Sequence, residues 1–440
     1  MKSLVLIYSD FKSNRLLYTL ELVFEQMLGI NFTFCDDVSK SNIVFSETKT
    51  NKSSINISIC SNLLKQNGFE HIEVNHKNFG EKTILFCNET NNDLIWNFDL
   101  FSAVFYLVSR YEEYKGFVPD AHNRFPPEAS ILYKTQSLEF PLVNIWVKRL
   151  KDDLKLKFPH LVFNEPDFRF ISTIDVDSTF RFKEKGFFRS LGGFLNDLKN
   201  LSLSDFLQRL KTILRLISDD FNVFEKIDKL HSNTGIEVIF FWLVGNYGKY
   251  DKNISWKNKE QSKIIKKLAK KYKIGIHPSY HSNYDKNLVN IEKNRLESLC
   301  YSPIEISRQH FLVHKFPETY QQLIKTGIYC DYTLGYTSFY GFRAGIASPF
   351  YFYDLSTETQ TKLMLYPFCS MDITPMHYFK FSIEKAIEKN RELLQKVKEV
   401  NGLFISLWHN ESISGKSRWE GGWYKVYEQL IIDVSKILKP

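Results

Sequence analysis

From about residue 166 onward, short apolar runs recur along the chain, and almost every one stops at an ionisable residue. The stretch from Phe168 through Ile171–Ile174 ends at Asp175 and Asp177. A long amphipathic segment, Phe187–Leu230, follows, with Leu201-Ser202-Leu203-Ser204-Asp205 as its break and helix cap. Ile236–Val244 comes next, then Ile274-Gly275-Ile276, which ends at His277-Pro278-Ser279-Tyr280-His281. Ile304–Ser307 ends at Arg308-Gln309-His310, and Tyr329-Cys330 at Asp331. Leu363–Tyr366 precedes Asp372, and Leu403–Leu407 runs into Trp408-His409-Asn410. Between these runs lie stretches with the helical period: 261–272, Leu288–Leu299, Thr319–Lys325, Ser382–Val400 and Tyr424–Leu438. Seven βα units predict an α/β fold, a distorted (β/α)7 barrel over residues 161–440 with a helical insertion at 187–230. Such barrels carry their chemistry at the C-terminal strand ends, where these Asp, His and Arg residues fall.

Residues 1–160 have a different rhythm and predict a smaller α/β domain. Its strands read as Leu4–Tyr8, Asn31–Phe34, Ile43–Phe45, Ile55–Ser58 and Thr83–Phe86; its helices read as Leu16–Leu28 and Phe98–Ser109. No strand is followed by G-x-G-x-x-G, so a dinucleotide fingerprint is absent. The polar, Pro-rich segment 120–127 reads as a structured loop between domains, and Leu142–Leu154 as a connecting helix. His122 and Arg124 in that loop are within reach of a neighbouring site, but a surface loop is the preferred reading. By itself this part discloses no function.

Composition narrows the class. At 440 residues the chain should form about two or three domains. The net charge of +8 is spread over Lys-rich helices, not gathered in one block. In 261–272, Ile264, Ile265, Leu268 and Tyr272 share a face that most of the lysines avoid, the pattern of a solvated crossover helix. A nucleic-acid partner is not expected. The six cysteines show no C-x-x-C and no framework spacing, which fits a reducing compartment and a cytoplasmic location. Met1–Asp10 reads as a first strand, not a signal peptide. No run approaches the roughly 18 apolar residues of a membrane span, so no stable membrane insertion is expected.

The candidate chemistry begins at Asp175 and Asp177. Their i, i+2 spacing points both carboxylates to one face of an extended chain, where like charges repel unless a cation or a catalytic role accommodates them. His277 and His281 stand at i, i+4 and can hold one metal if the chain turns helical after the strand. Two imidazoles and one carboxylate with open positions make a hydrolytic site for zinc or a similar divalent ion. The remaining carboxylate then serves as general base, and a histidine across the barrel protonates the leaving group.

On these residues, 166–410 resembles the polysaccharide deacetylase superfamily, carbohydrate esterase family 4, whose distorted (β/α) barrel removes acetyl groups from sugars with a divalent metal. Thr173-Ile174-Asp175-Val176-Asp177 is similar to that family's Thr-x-Asp-Asp motif, which implies Asp175 as base and Asp177 as metal ligand. His277-Pro278-Ser279-Tyr280-His281 resembles the motif of the two metal histidines. Arg308 is the counterpart of the arginine that holds the base, and Leu407-Trp408-His409 resembles the closing Leu-x-His, implying His409 as general acid. The chain departs from the pattern in the Val inserted between the acids, in Pro278, and in Arg308-Gln309-His310, which lacks the following Pro. His310 is then a substitute ligand or a buried strand-end histidine, and the second reading is preferred. The whole chain also resembles a Bacteroidetes-type subgroup with an extra N-terminal α/β domain, through 109–114, 275–280, 331–336 and 341–345.

Further candidates surround this set. Asp331 can orient His409 or cap its strand turn, and Asp372 can be a further ligand or a substrate contact. Arg343, between two glycines, reads equally as a clamp for an anionic sugar group or as a structural ion-pair residue. Trp408, Trp419 and Trp423 can stack on sugar rings, though Trp423 begins a helix and reads as core. Gly415-Lys416-Ser417 ends like a phosphate loop, but Asn410 stands where its first glycine belongs, and the match is rejected. The expectation is a metal-dependent, zinc-type hydrolase of carbon–nitrogen bonds acting on an N-acetylated carbohydrate. The alternatives are a barrel kept as a glycan- or protein-binding module, or a glycosidase using two carboxylates such as Asp177 and Asp372.

Overall fold

The computed structural model describes residues 3–88 and 96–438. The first apolar runs form a parallel sheet of β1 (Leu4–Ser9), β2 (Asn31–Phe34), β3 (Ile43–Ser46) and β4 (Ile55–Ser58), in the order β2-β1-β3-β4. The helix between β1 and β2 starts at Asn14 because Ser13 caps it, its side chain accepting the Leu16 N–H. Its second half, Glu21–Met27, widens into π-helical turns. A two-residue hairpin follows, β5 (His76–Lys77) with β6 (Ile84–Leu85). Helix Leu100–Val108 is apolar on all sides and all of it is buried, the expected fate of a helix without a polar face.

The later runs enter one nine-stranded sheet: β7 (Arg169–Val176), β8 (Glu237–Trp242), β9 (Lys273–Ile276), β10 (Ile306–Ser307), β11 (Cys330–Asp331), β12 (Phe350–Asp354), β13 (Thr359–Leu365), β14 (Ser370–Met371) and β15 (Leu403–His409). Their order is β12-β13-β11-β10-β9-β8-β7-β15-β14, with every pairing parallel except β12–β13. All seven runs expected as strands are in this sheet. Two strands were not legible. β14 is only two residues long and follows β13 with no helix between, and β12 is antiparallel and so outside the βα rhythm. Among the described residues β13 and β14 do not pair. Phe368 N–H instead donates to the Leu334 carbonyl and Cys369 N–H to that of Ile405, so the sheet is a curled half-barrel, not a closed (β/α)7 ring.

The curl is visible in which residues meet. Ile171 of β7, Ile239 and Phe241 of β8, Tyr332 after β11, Met371 of β14 and Leu403, Ile405 and Leu407 of β15 form one inner cluster. Alternate residues of the same strands, such as Ile174, Phe240 and Phe404, join a larger outer cluster under the helices. That outer cluster continues into the N-terminal sheet through Val5 and into the helices packed on it through Phe24 and Phe105. The two parts are also tied by polar contacts. Arg15 pairs with Glu358, and Tyr18 Oη donates to the Tyr351 carbonyl at 2.7 Å. The expected insertion is three helices, Phe187–Lys199, Leu203–Ile213 and Phe224–His231, with the first break at Leu201, whose φ is 51°.

Candidate active site

Strand parity delivers the central residues. On β7 the inner face carries Ile171, Thr173 and Asp175, and the same register continues to Asp177 just past the strand. On β15 it carries Leu403, Ile405, Leu407 and then His409. Gly275 of β9 lies on the inner face, where a Cβ would stand 2.6 Å from the Phe241 ring; the same parity brings in His277. Asp175, Asp177, His277, Leu407 and His409, with His310, line a cavity of about 220 Å³ at the C-terminal strand ends.

Two histidines face Asp177. His277 Nε2 lies 3.4 Å from Asp177 Oδ1, and His310 Nε2 lies 3.6 Å from Oδ2. His277 Nδ1 donates to the Arg308 main-chain carbonyl at 2.6 Å, an acceptor only, so its Nε2 lone pair is directed at Asp177. His310 Nδ1 is held by Asp251 Oδ1 at 2.8 Å. Both rings are therefore fixed from behind, as metal-ligating histidines are. Asp177 Oδ1 is buried and finds no hydrogen-bond partner among the described residues. The three ligand atoms lie within 4.8 Å of one another, and the 3.4 and 3.6 Å separations match the roughly 3.3 Å expected between ligands of a tetrahedral ion with ~2.0–2.1 Å bonds. The residues fit a divalent cation held by two imidazoles and one carboxylate.

Electrostatics agree with that balance. Enclosure works against charge on Asp177, but His310 and His409 outweigh it and hold the carboxyl well below the usual carboxylate range. Burial would lower His310, yet Asp177 and then Asp251 raise it to about 9. A dication among these groups would take the place of that proton.

Beside this cluster Asp175 is buried, with Oδ1 accepting from Arg308 Nη1 at 2.9 Å and Oδ2 3.7 Å from His277 Nε2. Arg308 also donates to Thr173 Oγ1 at 2.7 Å and to the Tyr332 carbonyl at 2.9 Å, with its guanidinium over the Phe241 ring. His409 stands across the cavity, its Nε2 3.9 Å from Asp177 Oδ2. Asp372 grips it from behind: Oδ2 is 3.0 Å from His409 Nδ1 and accepts the His409 N–H at 2.8 Å. Burial opposes a proton on His409, but Asp372, then Asp177 and Asp175, push its pKa up to about 10.

Several expected residues are placed elsewhere. His281 is exposed on the 3₁₀ turn Tyr280–Asn283, its ring beside Gly248, because Ser279 and Tyr280 are drawn aside by Glu292 and Asp251. The i, i+4 spacing therefore does not bring it to Asp177, and His310, read from sequence as a strand-end core histidine, stands there instead. Asp331 does not orient His409. Cys330 and Tyr332 pack on the inner cluster, so Asp331 between them faces outward, bonded to Ser307 Oγ and Thr333. Burial pushes it up to about 6 against those hydrogen bonds. Asp372 orients His409 and is neither beside the three-ligand cluster nor free to meet a substrate. Arg343 does not clamp a ligand here; it is buried in a bidentate pair with Glu113, Nε to Oε1 at 2.9 Å. Trp408 points to the outer face against Tyr427, with ring centroids 4.9 Å apart. Trp419 is also fully buried.

Two residues read as surface loop do reach the site. His122 lines the cavity, its ring 4.9 Å from that of Phe311, and Arg124 Nη1 donates to the Phe311 carbonyl at 2.8 Å. Phe311 and Leu312 have φ of 60° and 56°, a left-handed conformation costly for such side chains, just after His310. Arg124 pins that turn. Asp251 was missed altogether; its only sequence signal is an acid in the loop after β8. A larger cavity of about 480 Å³ opens at the opposite strand ends, near Leu28, Arg169 and Leu403, where Lys151 and Glu165 pair with each other.

Among the described residues no helix is long and apolar enough to cross a membrane. No curated protein matches the chain. Residues 5–159 match a family of unknown function, DUF7033. The chain is similar to a crystal structure from Mycobacterium smegmatis whose name proposes a polysaccharide deacetylase, at 14% identity over 61% of this chain and 84% of that one, with a TM-score of 0.39.

Proposed function

We propose that the chain is a metal-dependent hydrolase of carbon–nitrogen bonds that deacetylates an N-acetylated sugar or glycan precursor, on an opened (β/α)7 barrel over residues 161–440 preceded by an α/β domain over 1–160. The observation that carries this reading is the convergence of Asp177, His277 Nε2 and His310 Nε2 between an arginine-held carboxylate and an aspartate-held histidine. The motif resemblance of Thr173–Asp177 and Leu407–His409 supports it.

Asp177, His277 and His310 would hold the metal, zinc by ligand type, which when bound polarises the acetyl carbonyl and lowers the pKa of a nearby water. Asp175, oriented by Arg308, takes the proton from the attacking water. His409, kept protonated by Asp372, gives a proton to the departing amine nitrogen. The amide C–N bond breaks as a C–O bond forms, giving acetate and a free amine. A two-carboxylate glycosidase is disfavoured, because both Asp372 oxygens are taken by His409. The test is acetate release from N-acetylated amino sugars by zinc-loaded protein, with and without chelation. Chelator-sensitive acetate and a stoichiometric free amine are expected; substrate turnover unaffected by chelation would contradict the reading.

A further inference from the structure

The helical pair Phe187–Lys199 and Leu203–Ile213 is turned inside out. On its first helix Phe188, Leu191, Leu195 and Leu198 recur at i, i+3/i+4 and all face solvent. On the second, Leu203, Leu207, Leu210 and Leu214 do the same. Leu201 in the connecting turn is 91% exposed and Phe188 86%. Its two acids are taken up in ion pairs. Asp197 pairs with Arg209 across the two helices at 2.6 Å, and Arg181 reaches in to Asp205 at 2.8 Å. A helix pair in a globular protein normally buries its leucines and exposes its ions.

We propose that this pair is a docking surface for an anionic lipid bilayer, lying in the interface with its two leucine stripes down. Charge decides between a bilayer and a second copy of the chain. Both acids of 187–217 are engaged in ion pairs, whereas its exposed charges are Lys199, Lys211 and Arg215, the last 3.8 Å from Glu184. Two such faces brought together would oppose cations to cations, with both acids of the helix pair already engaged. An anionic headgroup layer accepts both the apolar stripes and the cationic rim. At 13 and 11 residues the helices are too short to span a membrane, so they lie on it.

The pair is also joined to the site. It follows Asp177 in the chain, and Arg189 on its first helix donates to the carbonyls of Lys252 and Asn253 at 2.8 and 2.9 Å, next to Asp251, which holds His310. Docking presents that end of the half-barrel to the lipid. Resting on the deacetylase reading above, the sugar it takes is then one carried on a lipid.

The test is flotation of the full chain with vesicles of phosphatidylcholine and phosphatidylglycerol, beside a Leu195→Gln/Leu198→Gln/Leu207→Gln variant and a Lys199→Glu/Lys211→Glu variant. The substituted side chains are exposed, so circular dichroism and metal content should stay at the wild-type value. Wild type should float with the mixed vesicles and far less with phosphatidylcholine alone. The leucine variant should remain behind, and the charge variant should lose about fivefold in vesicle affinity per cation removed. A wild type that stays unbound, or a leucine variant that floats as well as wild type, overturns the proposal. So does concentration-dependent self-association abolished by the leucine variant without flotation, which would make a second copy the occupant. Acetate release from an N-acetylated glycolipid in the same vesicles reads the substrate clause separately. Flotation with no acetate from any amino sugar would sink the deacetylase reading and leave the docking intact.

Discussion

The main-chain carbonyl of Arg308 accepts a hydrogen bond from His277 Nδ1 at 2.6 Å. The side chain of the same arginine holds Asp175 at 2.9 Å. One residue thus fixes the tautomer of a proposed metal ligand with its backbone and the position of the proposed base with its guanidinium. The two functions separate in a variant. Arg308→Met keeps the carbonyl and should keep the metal, but it leaves buried Asp175 without its cation. Activity is expected to fall by about 10²–10⁴-fold, the contribution of a general base, at unchanged metal content. Turnover measured beside elemental analysis checks both.

Asp372 acts through His409. Asp372→Asn cannot support a proton on His409 Nδ1 in the same way, and turnover should fall by about 10–100-fold while metal content stays constant. Loss of metal in this variant would instead place Asp372 among the ligands.

Arg343 and Glu113 form a buried bidentate pair far apart in sequence. Burial opposes charge on Glu113, but Arg343 and Arg110 outweigh it and bring it down to about 2. Arg343→Ala takes away one of the two arginines that hold buried Glu113, leaving Arg110 Nε at 2.7 Å as its remaining cation, so it should cost up to about 3–5 kcal/mol in a urea titration. KM for any substrate of the surviving folded fraction should not change. A raised KM without destabilisation would restore Arg343 as a substrate clamp.

His231 gives a pH signature away from the site. It is buried between the Ile227 carbonyl and Tyr427, and burial lowers its pKa from 6.5 to about 4. Between those values the unfolded chain binds the extra proton, so this residue's contribution to stability is lost as pH falls from 6.5 towards 4 and is constant above 6.5. The whole effect is roughly 3 kcal/mol at about 1.4 kcal/mol per pH unit. Asp331, raised to about 6, acts in the opposite direction below pH 6, so the readout is a difference. Urea midpoints of His231→Gln should fall less than those of wild type over this range.

What was legible in the sequence was what parity governs. Asp175, Asp177 and His409 follow from the period of two along β7 and β15, and the strand runs from the alternation of apolar and helical stretches. What was not legible lies where the chain stops being regular. The helical spacing of His277 and His281 misleads because the chain makes a 3₁₀ turn, bound to Glu292 and Asp251, and carries His281 outward. His310 is held in the cavity by Asp251 and is followed by a left-handed turn that Arg124, from a distant loop, holds in place. Glu113 and Asp251 are fixed by contacts across the fold, which no local pattern announces. The outward leucines of 191–214 read from sequence as ordinary amphipathic helix, since periodicity does not say which face meets the core.

The most direct measurement is zinc stoichiometry by elemental analysis of wild type, His310→Ala and His281→Ala after loading and gel filtration. One equivalent is expected in wild type and in His281→Ala, and loss of it in His310→Ala. Metal retained in His310→Ala but lost in His281→Ala, or none in wild type, would contradict the site assembled from Asp177, His277 and His310.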